Sequence, residues 1–232
     1  MRPRLAWGKG RLHARPAKVP GAGRAGLYPL GLDAARDSYL YVPESHWPEQ
    51  PMPLVLMLHG AGGHAHHGLG MLRHLADAYE FIVLAPASRG RTWDMLLDGY
   101  GADVALIDRA LAVTFERYAV DPRRLAIGGF SDGASYALSL GVGNGDLFSH
   151  VLAFSPGFME PDGQQGAPAV FVSHGTGDRV LPIGTCSRRV VPALRQAGYG
   201  VRYREFAGGH TVPPEIAREA VQWFTLEGDG QG

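Results

Sequence analysis

Arg124-Leu-Ala-Ile-Gly-Gly-Phe-Ser-Asp-Gly-Ala-Ser-Tyr-Ala-Leu-Ser-Leu140 is the stretch whose reading decides the fold. Leu125 to Ile127 is a short apolar run, Gly129-Phe-Ser-Asp-Gly133 interrupts it, and Ala134, Tyr136, Ala137, Leu138 and Leu140 follow as a helix. The pattern is strand, abrupt turn, helix. A serine at the tip of such a turn needs a strained backbone, and glycines two residues before and two after it let strand and helix approach closely. The Ser131 hydroxyl is thereby pushed out of the sheet towards solvent. Taken alone, the five-residue pattern fits an ordinary glycine-rich loop equally well, so the rest of the chain has to decide.

On either side the same alternation continues. Leu54-Val-Leu-Met-Leu58, Phe81-Ile-Val-Leu-Ala85, His150-Val-Leu-Ala-Phe154 and Ala169-Val-Phe-Val-Ser173 are continuously apolar, as strands buried on both faces of a parallel sheet are. Asp37 to Pro43 and Val201 to Phe206 alternate more and read as further strands. Helices are expected at about 69–79, 103–118 and 184–197, with a last one beginning near Thr211. In 103–118, Val104, Ile107, Leu111, Phe115 and Tyr118 mark one face. Strands alternating with helices predict an α/β fold, a mostly parallel sheet covered on both faces. The segments 87–101 and 155–168 are loops expected over one end of the sheet. Both are too short to form a lid domain.

At 232 residues, 45% hydrophobic and 19% charged, the chain fits one compact domain. The 33 glycines and 17 prolines fall between apolar runs and mark tight turns. A formal net charge of zero gives no argument for a nucleic-acid partner. That zero hides an asymmetry: residues 1–26 carry seven Lys and Arg and no acid, leaving 15 basic against 22 acidic residues in the remainder. This start lacks the apolar core of a secretory signal, and nothing approaches the length of a membrane span. It is read as a basic tail over 1–26 with an edge strand near Leu12 to Ala14, followed by the body over 27–226 and a disordered tail over 227–232. A single cysteine, Cys186, excludes an intramolecular disulfide and is compatible with a cytoplasmic location.

Sites in such sheets form at the carboxyl ends of the strands. After the strand 169–173, His174-Gly-Thr-Gly-Asp178 places a carboxylate there; after 201–206, Ala207-Gly-Gly-His210 places an imidazole. A serine is activated by a base within hydrogen-bond reach and a third group that holds the base in the right tautomer. A loop histidine or a turn aspartate taken singly is unremarkable. Three such residues in the order serine, acid, histidine, each directly after a parallel strand, point to a nucleophile, Ser131, a base, His210, and an orienting acid, Asp178.

With Leu58-His-Gly-Ala-Gly-Gly63, Gly129-Phe-Ser-Asp-Gly133, His174-Gly-Thr-Gly-Asp-Arg-Val-Leu-Pro182 and Gly208-Gly-His-Thr211, the chain resembles an α/β-hydrolase. Within that fold it is similar to the phospholipase/carboxylesterase group, which includes acyl-protein thioesterases and small bacterial esterases. The resemblance implies an oxyanion hole made by the backbone N–H of Ala61 or Gly62 with that of Asp132, each such donor contributing roughly 3 kcal/mol to the transition state. It also implies an acyl-enzyme mechanism on a small-molecule ester, with no cofactor, in a monomer or homodimer. Asp132, where glutamine is common among the thioesterases, and Ala134, where many relatives have glycine, favour a carboxylesterase over a depalmitoylase. The alternatives are an acyl thioesterase or lysophospholipase, and a non-catalytic binding protein on the same fold. Trp93, Met95, Phe158 and Met159 lie on the two loops and are candidate walls of a substrate pocket. The cluster His59, His64, His66, His67 and His74 raises a metal site, but His64-Ala-His-His67 lacks the i, i+4 pair of a helical zinc motif. It is read as a polar loop, with no metal.

Overall fold

The computed structural model describes residues 10–16, 23–97 and 99–226. The eight strands are β1 (Gly26–Pro29), β2 (Tyr39–Val42), β3 (Met52–Leu58), β4 (Ile82–Ala85), β5 (Val120–Phe130), β6 (His150–Phe154), β7 (Ala169–Gly175) and β8 (Val201–Phe206). They form one sheet in the order β1-β2-β4-β3-β5-β6-β7-β8. All neighbours from β4 to β8 are parallel; β1 and β2 run antiparallel at one edge. The helices are α1 (Ala65–Ala76), α2 (Ala102–Arg117), α3 (Asp132–Gly143), α4 (Ser187–Gln196) and α5 (Pro214–Leu226).

The continuously apolar strands are sorted between two cores by the period-2 alternation of strand side chains. Leu54, Leu56 and Leu58 of β3, with Leu125, Ile127, Val151, Ala153, Val170 and Val172, pack with α2, α3 and α4 on one face. Val55, Met57, Ala126, Leu152, Phe154 and Phe171 pack with α1 and α5 on the other. Each fully buried Leu, Ile or Phe contributes about 1.5–3 kcal/mol, and neither face of the central strands is left for water. Among the described residues, no helix is long and apolar enough to cross a membrane.

Two sequence expectations are corrected. Residues 11–16 form no strand, because side chains on the helical face take their N–H groups: Leu12 donates to Asn144 Oδ1 at 2.9 Å, and His13 and Ala14 to Asp108 Oδ1 at 2.7 and 2.8 Å. The sheet's edge is β1 instead. Leu12 is fully buried, and Arg11 and Arg15 pair with Asp146, so this part of the basic start is a strap on the body. As expected, the β6–β7 crossover over residues 155–168 is a loop without a helix. It is tied down by a Gly145–Gly166 bridge and by Ser135 and Ser139 of α3, whose hydroxyls accept the N–H groups of Gly157 and Glu160 at 2.9 Å each. The second correction is that α1 begins at Ala65, earlier than the apolar spacing indicates, with the His64 N–H taken by His67 Nδ1 at 3.3 Å. The remainder of the expected N-terminal tail, residues 1–9 and 17–22, and the expected C-terminal tail, 227–232, lie outside the described residues.

Candidate active site

At the carboxyl edge, β5 ends in Phe130 and α3 starts at Asp132, leaving Ser131 as the cap between them with φ 57° and ψ −122°. This is a left-handed conformation that a residue with a Cβ adopts only when its surroundings impose it. The constraint is packing. A Cβ at Gly129 would lie 2.2 Å from the Gly133 carbonyl oxygen, and one at Gly133 would lie 2.4 Å from that of His59, so strand, turn and helix close only with glycine at both positions. The Ser131 N–H is held by the Phe154 carbonyl at 3.0 Å.

His210, from the loop after β8, has Nε2 at 2.9 Å from Ser131 Oγ and Nδ1 at 2.6 Å from Asp178 Oδ2. The carboxylate opposite Nδ1 fixes the proton there, so Nε2 accepts the serine hydroxyl. Phe130 covers the imidazole, with ring centroids 4.6 Å apart. Asp178 is buried, and its Oδ1 accepts the N–H groups of Val180 and Leu181, both at 2.9 Å. Burial alone would raise its pKa. The hydrogen bond to His210 and the two backbone donors outweigh that, so the carboxyl titrates below its usual range.

His174 escaped the sequence reading. It is fully buried, with Nε2 at 2.8 Å from the Leu181 carbonyl and 3.3 Å from Asp178 Oδ2, and Nδ1 at 2.6 Å from Ser187 Oγ. Nε2 faces two acceptors and therefore carries the proton, and Nδ1 accepts the Ser187 hydroxyl. Burial lowers its pKa and keeps the ring neutral. Asp178 Oδ2 thus lies between two imidazole N–H groups. The signal was present in the sequence, since His174 begins the turn that ends in Asp178, but its burial was not.

The turn after β3 approaches the same point. A Cβ on Gly60 would lie 3.4 Å from the Ser131 Cβ. Of the two expected donors, Gly62 is already engaged, its N–H donating to the Arg91 carbonyl at 2.7 Å; this corrects the expectation for Gly62 and leaves Ala61, which is exposed. The other expected donor is Asp132, whose N–H at the first position of α3 has no intrahelical acceptor. Its carboxylate accepts the Thr92 hydroxyl at 2.7 Å. Behind the turn, His59 is buried with a pKa lowered to about 4 by desolvation. Its Nε2 accepts the Ser88 N–H at 3.0 Å, so Nδ1 donates to Gly60 O at 2.7 Å.

The expected pocket walls divide. Trp93 is no wall: it is fully buried, stacked on Tyr136 with centroids 5.2 Å apart, and its indole N–H bonds the His59 carbonyl at 2.9 Å. A loop's composition does not reveal that its tryptophan points inward. Met95 and Met159 are half-buried against the core on the α2–α3 side. Phe158 is half-buried on the crossover loop that Ser135 anchors. The histidine cluster is used locally. His66 stacks on Tyr39 and His64 on His67, each with centroids 4.1 Å apart, and among the described residues no three metal-ligating side chains converge.

The sheet order, the elbow at Ser131 and the loop placement define an α/β-hydrolase fold with no separate lid domain among the described residues. Solved structures carry the same fold. Over 87% of this chain and 97% of the other, it is similar to esterase PE8, with a TM-score of 0.65 and 20% identity. Over 90% and 100% it is similar to S-formylglutathione hydrolase from Staphylococcus aureus, at 0.72 and 12%. Over 83% and 99% it is similar to Zea mays acyl-protein thioesterase 2, at 0.60 and 18%. No family model matches the sequence, and no curated protein matches it.

Proposed function

We propose that the protein is a serine hydrolase that cleaves carboxylic esters of small substrates through an acyl-enzyme, in the manner of the phospholipase/carboxylesterase group. The observation that carries this reading is the continuous row Ser131–His210–Asp178, with spacings of 2.9 and 2.6 Å, at a left-handed elbow. In this reading Ser131 Oγ attacks the ester carbonyl while its proton passes to His210 Nε2. The negative charge that develops on the carbonyl oxygen is met by the N–H groups of Ala61 and Asp132. The tetrahedral adduct expels the alcohol, which takes the proton from His210. Water then repeats the cycle on the acyl-enzyme and releases the acid. Asp178 keeps the imidazole in its tautomer and stabilises the cation.

Names among the similar structures, esterase and thioesterase alike, support acyl transfer and leave the thioester as the second reading. The shortness of the loops 87–101 and 155–168 supports short substrates. Among the described residues of these two loops, Trp93 and much of Met95 and Met159 are taken by the core, and Phe158 remains as an acyl-pocket wall. The negative charge of Asp132 disfavours anionic acyl groups. A single buried cysteine is compatible with a cytoplasmic setting, and a monomer or homodimer is the assembly proposed. With a series of p-nitrophenyl esters, kcat/KM should peak between acetyl and hexanoyl, and methylenes beyond the pocket should gain little of the usual ~0.8 kcal/mol. A value still climbing at palmitoyl, or a rate that jumps as substrate forms micelles, would contradict it.

A further inference from the structure

Because β2 runs antiparallel to β4, with Tyr39 opposite Ala85, the β1–β2 connection over 30–38 emerges at the carboxyl edge, beside the candidate site. Two aspartates give it shape. Asp33 Oδ1 accepts the N–H groups of Ala35 and Arg36 at 2.9 and 2.8 Å, and Asp37 accepts those of Gly31, Leu32 and Ser38 at 2.7, 2.9 and 2.8 Å. Asp33 also pairs with Arg89 of the loop after β4. So braced, the half-buried Arg36 reaches two segments distant in sequence. Its Nη2 donates to the Gly63 carbonyl at 2.6 Å and its Nε to the Ser88 carbonyl at 2.5 Å.

Gly63 is the far end of the turn that carries Ala61. Inside that turn, the Gly60 carbonyl accepts the Gly63 N–H at 3.0 Å and His59 Nδ1 at 2.7 Å. Arg91 takes the Gly62 N–H, and Ser88 holds His59 from behind. The Gly63 carbonyl is held by Arg36. One guanidinium therefore ties the donor turn to the same loop that fixes Gly62 and His59. A planar fork can hold two carbonyls at once; an ammonium group is a single point of attachment.

We propose that Arg36 is a positioning residue for the oxyanion site, holding the Gly60–Gly63 turn so that the Ala61 N–H stays aimed at the carbonyl oxygen above Ser131. The proposal rests on the ester-hydrolase reading. Arg36 does not touch the reacting atoms, so its loss acts on the transition state and spares substrate binding.

The test is Arg36→Ala in the full chain, assayed with p-nitrophenyl acetate. Turnover should fall about tenfold to a hundredfold, less than for loss of a donor itself, with KM unchanged within about threefold. Guanidinium ion, well below denaturing concentration, should restore much of kcat. Affinity for a trifluoromethyl ketone, whose adduct with Ser131 puts an oxyanion at the same place, should fall in step with kcat. A kcat within about twofold of wild type overturns the proposal, as does a loss that guanidinium does not restore and that only tracks a lower melting temperature. If Arg36→Ala does not fold, Arg36→Lys decides, with the same fall in kcat expected at unchanged KM and wild-type turnover overturning it. A wild-type protein that neither hydrolyses esters nor reacts with a fluorophosphonate refutes the ester-hydrolase reading, and the proposal with it.

Discussion

Asp178 and Asp103 are both buried carboxylates, and both accept two backbone N–H groups. Asp178 takes those of Val180 and Leu181; Asp103 takes those of Arg89 and Asp94, at 2.6 and 2.8 Å. Their protons nevertheless behave in opposite ways. Asp178 titrates below the ordinary carboxylate range, while burial pushes Asp103 up to about 6 against the pull of the Arg89 N–H. The difference lies in what else each faces. Asp178 Oδ2 meets two imidazoles; Asp103 sits beside a second carboxylate, Asp94, whose charge raises its pKa further. Two backbone donors are therefore not enough to keep the pKa of a buried carboxylate in its ordinary range, and the third partner decides. One acid is suited to orienting a base. The other serves as a brace, capping the 3₁₀ turn at Asp94–Leu96 and joining α2 to the loop that carries Thr92.

Replacing each acid by its amide should break the comparison most sharply. Asp178→Asn should lower kcat by roughly 10³–10⁴, because the amide permits the wrong tautomer of His210. Asp103→Asn should change kcat by less than about threefold, since Asp103 touches no group in the row. Steady-state kinetics on the two variants checks both, and a mild Asp178→Asn phenotype would mean that another acid orients the base.

A smaller effect is expected at His174. His174→Phe keeps the ring volume but removes the second donor to Asp178, and should cost about tenfold in kcat. It also leaves Ser187 and the Leu181 carbonyl unpaired, destabilising the fold by about 1–3 kcal/mol. Kinetics and a denaturant titration of the same sample read the two effects separately.

The smallest effect concerns pH and stability. The raised pKa of Asp103 means that the folded state holds a proton the unfolded state has lost between about pH 4 and 6, so stability falls as pH rises through that window. The depressed pKa of Asp178 has the opposite sign: its contribution is present above the unfolded carboxylate value and is lost as pH falls through the folded one. In Asp103→Asn the downward slope between pH 4 and 6 should disappear, a change of at most about 2–3 kcal/mol. Denaturant melts at pH 4, 5, 6 and 7 measure it. An unchanged slope would show that Asp103 titrates normally.

Both the sheet and the residues of the row were legible because each rests on a local signal. The continuously apolar runs 54–58, 81–85, 150–154 and 169–173, each short and bounded by turn residues, fit a sheet covered on both faces, and Ser131, Asp178 and His210 each follow a strand, after 125–127, 169–173 and the alternating 201–206, in a glycine-rich turn. What was not legible depends on contacts between distant loops. The engagement of Gly62 by Arg91, the second imidazole on Asp178, the burial of Trp93 and the docking of Leu12 among helices are set by which loops meet, and spacing along the chain carries no trace of that. β1 was missed for a related reason: four residues with two at its ends being Gly26 and Pro29 have neither the length nor the alternation of a recognisable strand.

The most direct test of the account is to treat the folded protein with a fluorophosphonate, measure its intact mass and map the modified peptide, with Ser131→Ala beside it. The account predicts a single adduct, on Ser131, and none on the variant. Ser155 is the informative competitor, since it too follows a buried strand with a left-handed φ of 52°, but its hydroxyl is fully buried and has no imidazole partner among the described residues. An adduct on Ser155, or a folded wild-type protein that takes no label, would contradict the claim that the Ser131–His210–Asp178 row is an activated nucleophile.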